Sequence, residues 1–169
     1  MKCVLETQRL ILRPWRIEDT EPFFHGWATD SEVTKYMTWS PHESIEVTKK
    51  ILAMWLEEYE KPERINFAIE LKDTSELVGG IDVVSYDEGI PTIGYMLKRD
   101  QWNKGYMTEA CQCVLKHLFS LGYKSARIEA VAENIGSNKV IQKCGGVLVG
   151  TRTREGHPEI INTYIILAK

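Results

Sequence analysis

No apolar run in these 169 residues approaches the ~20 that a membrane-spanning helix needs, and no hydrophobic leader follows Met1. The expectation is therefore a cytoplasmic protein with no membrane partner. Cysteine is sparse. The four residues Cys3, Cys111, Cys113 and Cys144 show neither a C-x-x-C pair nor a Cys/His ligand spacing. That excludes a zinc-type motif and a disulfide framework, so no metal is expected and the thiols read as core residues. Positive charge is not in excess. A net charge of −3 and a pI near 5.9 give no basic field for nucleic acid. Glycine is never arranged as Gly-x-Gly-x-x-Gly or before Lys-Ser/Thr, which rules out a dinucleotide fingerprint and a P-loop. No repeat, linker or low-complexity run divides the chain, so residues 1–169 read as a single domain.

What is present is ordinary globular composition, 43% hydrophobic and 27% charged, which excludes a mostly disordered chain. A first strand is expected from Leu5 to Arg13, stopped by Pro14. Asp19 is placed to cap a short helix holding Phe23, Phe24 and Trp27, and a second short helix follows Asp30. Ser44 begins a longer helix ending at Pro62, with Val47, Ile51, Met54 and Trp55 on one face. Three strands come next, over 65–71, 77–86 and 92–98, as an antiparallel meander turning at Asp87-Glu88-Gly89. Gly79-Gly80 marks a bulge or a close backbone approach. Beyond it, Cys111, Val114, Leu115 and Leu118 form a helical stripe that Gly122 closes. A strand over 125–131, a helix capped by Ser137 and closed by Gly145-Gly146, and strands over 147–151 and 160–167 around a turn at 155–158 complete the chain. Periodicity alone thus gives a mixed α/β fold class.

One stretch is more specific. Gln101-Trp-Asn-Lys-Gly-Tyr-Met-Thr-Glu-Ala110 joins the strand at 92–98 to the helix that follows. A helix N-terminus carries unpaired N–H groups and about half a positive charge, so it attracts phosphate. Gly105 lets the backbone approach an anion closely, and Lys104 adds a mobile cation. On these grounds the stretch is a candidate pyrophosphate cradle.

The wording Trp102-Asn-Lys-Gly-Tyr-Met-Thr-Glu-Ala110 resembles the acetyl-CoA loop of the GCN5-related N-acetyltransferases, the GNAT superfamily. It is most similar to the branch of ribosomal-protein N-terminal acetyltransferases. Glu133-Asn-Ile-Gly-Ser-Asn-Lys-Val-Ile-Gln-Lys-Cys-Gly145 is similar to the family's Asn-x-x-Ser…Lys-x-Gly segment. Thr7-Gln-Arg-Leu-Ile-Leu-Arg-Pro14 resembles the opening of this branch. The resemblance implies a mixed, mostly antiparallel sheet flanked by helices and splayed at the acetyl-CoA site. It implies acetyl transfer from acetyl-CoA directly to a primary amine, a protein N-terminus or a small molecule, in a ternary complex. Trp102, Asn103, Lys104, Gly105, Tyr106, Met107 and Thr108 would then take the pyrophosphate. Backbone N–H groups of Met96, Leu97 and Lys98 would face the thioester carbonyl, and Asn134, Ser137 and Lys143 would hold the cofactor from the second segment.

The chemistry needs a neutral amine, a polarised carbonyl and a proton or hydrogen bond for the departing thiolate. An alkylammonium titrates near pH ~10, so a base or a desolvating pocket must take its proton. Asp82, Glu129 and His157 are the candidate bases, with a water relay as the alternative. Ile141 stands where many members of the family carry a proton-donating Tyr, which leaves Ser137 or water. Gly146 replaces a common Phe and is expected to loosen packing, and Met107 fills a position usually Gly or Ala. Tyr36, Trp39 and Trp55 lie in the variable N-terminal helices, where Trp39 either lines an acceptor groove or is core. A non-catalytic acyl-CoA-binding module is the competing function, and a monomer and a homodimer both fit.

Overall fold

Eight strands and five α-helices form among the described residues, which are 3–61, 63–154 and 158–169 of the computed structural model. The expected helix stop at Pro62, most of the turn at 155–158 and the candidate base His157 lie outside the described residues. Two compact units result. One comprises residues up to Asp82 with Tyr95–Tyr106, the other Val83–Gly94 with Met107–Lys169.

The first unit holds β1 (Leu5–Glu6), β2 (Leu10–Arg13), β3 (Asn66–Leu71) and the start of β4 (Leu77–Asp87), all antiparallel neighbours in that order. The single strand expected over Leu5–Arg13 is in fact two. Thr7 reverses the chain by donating its N–H to Leu10 O (3.0 Å) and accepting the Leu10 N–H on Oγ1 (2.9 Å). Leu5 then pairs with Leu12. Both features expected at Gly79-Gly80 occur in β4, the bulge one residue earlier and the close approach at the glycines themselves. Ile69 faces Gly79 while Glu70 faces Leu77, so Val78 is a bulge. A Cβ on Gly79 would lie 2.4 Å from Met96 O, and one on Gly80 2.7 Å from the Trp15 ring.

The helices of this unit are α1 (Thr20–Phe23), which runs into a π-helical turn over Phe24–Ala28, α2 (Ser31–Thr34) and α3 (Ile45–Glu58). Asp30 caps α2 by accepting the Glu32 N–H. Asp19 does not cap as expected. Its carboxylate takes the Arg16 N–H and both Arg13 guanidinium nitrogens, because buried Arg13 needs counter-charge and also binds Glu70 at 2.7 Å. The buried face of α3 is also displaced by one position from the expected one. Thr48 and Leu52 are buried, whereas Val47 and Met54 are exposed. Trp15, Phe23, Trp27 and Leu52 centre the core of this unit.

The second unit holds the rest of β4 and the start of β5 (Ile90–Leu97), joined by a tight turn in which Glu88 and Gly89 both have positive φ. It continues through α4 (Tyr106–Ser120), β6 (Ser125–Val131), α5 (Ile135–Lys143), β7 (Val147–Thr153) and β8 (Ile160–Leu167). β5 and β6 are parallel, with recorded pairing confined to Thr92–Arg127 and Ile93–Ile128. β6, β8 and β7 are antiparallel. The strand order is β1-β2-β3-β4-β5-β6-β8-β7, with β4 and β5 shared by both units. The α4 stripe of Cys111, Val114, Leu115 and Leu118 is buried as its period requires. The other cysteines are only half-buried, so the expectation of four core thiols holds for Cys111 alone. Gly146 does not loosen packing. A Cβ there would lie 2.5 Å from Ile141 Cγ2, so the two departures from the family pattern fill one space together.

Candidate active site

In the first unit, β5 ends in Met96 and Leu97, both buried, and a 3-10 turn at Arg99–Gln101 leads to the loop before α4. Trp102 donates Nε1–H to Leu97 O at 2.8 Å, which pins the loop to the strand end. Asn103 (φ 61°) and Gly105 (φ 81°) are both left-handed, so the chain turns sharply while its backbone stays exposed. Lys104 is exposed and donates from Nζ to Gln101 Oε1. Sequence reasoning missed Arg9. Its guanidinium donates to Lys104 O at 3.0 Å and lies 4.4 Å from the centre of the Tyr106 ring. It is also the atom group nearest a Cβ built on Gly105, at 3.4 Å. Its place in the branch-opening segment was the only signal, since nothing local links residue 9 to residue 104.

The loop therefore presents two cations, an exposed glycine backbone and the N-terminus of a 15-residue helix, which fits a polyanion. The Met107 side chain is buried. Two expected contributions from Lys98 change. Its amide already donates to Val78 O (2.7 Å) and so is not open to a thioester carbonyl. Its ammonium is held by Glu76 (2.6 Å) and Asp100 (3.4 Å), and the Glu76 bond raises its pKa.

Asp82, on β4 in the same unit, faces Asn66 across the β3–β4 ladder, so both side chains share one face of the sheet. Burial pushes the Asp82 carboxyl up to about 6, against the pull of Arg64 at 3.3 Å and with a further push from Glu58. Asn66 is buried. Its Oδ1 is fixed by Trp15 Nε1–H at 2.9 Å, and its Nδ2 finds no partner among the described residues. Tyr59 locks the same corner, accepting the Trp15 N–H and donating to Asn66 O. Trp39 is half-buried, edge-on to Phe23 and 5.0 Å from His42, and Trp55 stacks on Phe23.

In the second unit, Asn134 and not Ser137 caps α5. The Asn134 Oδ1 accepts the Ser137 N–H at 3.1 Å, placing Ser137 at the third helical position. Asn138, also missed in the sequence, ties this turn together. Its Nδ2 donates to Val131 O and Asn134 O, and its Oδ1 accepts from Tyr164 Oη and Asn162 Nδ2. Lys143 is exposed at the end of α5. Glu129 loses its standing as a base. Two bonds from Arg152 and one from Thr163 hold its carboxyl below the usual range.

A family model described as an acetyltransferase (GNAT) domain matches residues 9–147. The chain belongs to the GNAT acetyltransferase family. It is 32% identical to an uncharacterized N-acetyltransferase, YoaA, of Bacillus subtilis (strain 168), over 97% of this chain and 96% of that protein. It is 31% identical to an uncharacterized N-acetyltransferase, p20, of Bacillus licheniformis, over 81% and 78% of the two chains. Among solved structures, a GNAT-family acetyltransferase from Bacillus anthracis superposes with a TM-score of 0.85 at 26% identity, covering 98% of each chain. RimL, a ribosomal L7/L12 alpha-N-protein acetyltransferase in complex with coenzyme A, shares the fold at a TM-score of 0.86, with 18% identity and 98% of each chain covered.

This GNAT protein is accordingly an acetyltransferase that uses acetyl-CoA, with the mixed, mostly antiparallel eight-stranded sheet of that fold. The expectations of acetyl-CoA and of the family are borne out. No described helix is long and apolar enough to cross a membrane.

Proposed function

We propose that this acetyltransferase moves the acetyl group directly onto a primary amine, either a protein N-terminus or a small molecule, with Asp82 as general base. The single observation that carries the assignment is the Asp82 carboxyl: partly buried, tethered to Arg64, and pushed up to about 6. A base must be unprotonated at working pH yet basic enough to accept a proton, and a pKa near 6 meets both needs better than an ordinary carboxylate. Such a group also argues against the binding-only alternative, which has no use for it. Acetyl-CoA supplies an activated thioester. The loop from Trp102 to Thr108, with Arg9, would hold its pyrophosphate, and the Met96 and Leu97 backbone would orient the acetyl carbonyl. Asn134, Ser137 and Lys143 are proposed as further cofactor contacts, and Ser137 or water as the group that stabilises the departing thiolate.

The protein N-terminus is supported by the ribosomal-protein acetyltransferases among its structural relatives, and the small amine by the compact aromatic surroundings of Trp39 and Trp55. The proposal extends to a single catalytic domain, a cytoplasmic setting and a reaction without metal. The test is thiol release from acetyl-CoA against a panel of peptides and a panel of amines, in the presence of a chelator. Turnover with one panel identifies the acceptor class. Acetyl-CoA binding with no turnover on either panel would overturn the proposal.

A further inference from the structure

Four thiols are reduced in this molecule, and two of them lie on the neighbouring helices α4 and α5. Cys111 lies on the buried face of α4, and Cys144 is the residue that ends α5. The Cys144 thiol donates to Thr108 O at 3.8 Å, and Thr108 is one helical turn before Cys111. The residue before Cys144 is held to the same stretch, because Gln112 Nε2 donates to Lys143 O at 3.4 Å. Cys111 lies between Thr108 and Gln112 on α4, so the end of α5 is held against the turn that carries it. Both contacts, and both thiols, lie entirely within the second unit. Gly145 follows with φ 87°, a hinge-permissive conformation directly beside Cys144.

We infer that Cys111 and Cys144 form an oxidation site, which closes to an intramolecular disulfide on exposure to a hydroperoxide and fastens the end of α5 to the first half of α4. Cys144 is the attacking thiol, because it is half-buried while Cys111 is fully enclosed. The direction of titration agrees: interaction with Cys111 lowers the Cys144 pKa, while interaction with Cys144 and burial raise that of Cys111. In the first step the Cys144 sulfur takes one oxygen from the hydroperoxide, the O–O bond breaks, and an alcohol or water leaves. In the second step the Cys111 sulfur attacks the sulfenic sulfur, its proton goes to the departing hydroxide, and water is released. The hydroperoxide accepts both electrons.

The fully reduced protein is treated with equimolar hydrogen peroxide, quenched, alkylated and mapped by mass spectrometry. The expected result is one Cys111–Cys144 linked peptide, loss of two hydrogens, and unmodified Cys3 and Cys113, all reversed by dithiothreitol. Oxidised protein should also melt several degrees higher, since the link closes a long loop. In Cys111→Ser, dimedone should trap Cys144 as the sulfenic acid, and Cys144→Ala should show neither link nor melting shift. Oxidation of Cys3 or Cys113 ahead of the pair would overturn the inference. So would sulfinic acid at Cys144 with Cys111 still reduced in the wild type.

Discussion

Replacing Asp82 by Asn removes a charge but hardly changes shape, so its effects isolate the proposed base. The carboxyl rises from an ordinary 3.8 to about 6 in the fold. At about 1.4 kcal/mol per pH unit, that corresponds to roughly 3 kcal/mol by which the fold prefers the neutral form. Little exposure dilutes this figure, because the side chain is 22% accessible. The sign follows from the raised value. Below about pH 4 the carboxyl is neutral in both folded and unfolded chains, and Asp82→Asn should leave stability nearly unchanged. Between pH 4 and 6 the unfolded chain ionises first, wild-type stability falls, and the variant gains on it. Above pH 6 the variant should be the more stable by up to about 3 kcal/mol, a trade of stability for activity. Activity should move the other way. The wild-type kcat/KM should climb through an apparent pKa near 6, and the variant should lose that limb together with about 100-fold or more of its rate. Urea unfolding at pH 4.5 and 7.5, paired with pH–rate profiles, reads both. A variant less stable at pH 7.5 than the wild type, or one that keeps the limb, would refute the reasoning.

Gly105→Val places a branched side chain at φ 81° against Arg9, so acetyl-CoA affinity by calorimetry should fall more than about tenfold while circular dichroism stays native. Ser137→Ala should keep its native circular dichroism, because the α5 cap is the Asn134 side chain, and a drop in kcat would then identify the hydroxyl as partner of the thiolate. Normal turnover would assign that role to water and remove Ser137 from the catalytic set. Trp39→Ala should raise the acceptor KM and leave acetyl-CoA affinity unchanged. Equal constants in variant and wild type would make this half-buried ring core only.

The chain's local patterns determined the family, the candidate cofactor loop and most element types. The α4 stripe, the Glu88-Gly89 turn and the Gly79-Gly80 approach are set by residue period and by backbone conformations that few residues adopt, and both are readable along the chain. The errors share a different cause. Asp19 and Ser137 both looked like caps, since short polar residues before apolar runs usually are. Asp19 instead answers the buried charge of Arg13, and Asn134 reaches the α5 N-terminus from three residues earlier. The buried face of α3 shifted to Thr48 and Leu52 because the aromatic core around Phe23 decides which side faces inward, and spacing leaves neighbouring registers nearly equivalent. Arg9 at the loop, the seating of Cys144 against the α4 turn that carries Cys111, and the shared space of Ile141 and Gly146 were set by packing, two of them between residues far apart in sequence. Only the tertiary structure separates the environments of Asp82 and Glu129. Both are acidic residues on strands, but Arg152 and Thr163 hold one carboxyl ionised, while burial against a weaker partner makes the other basic.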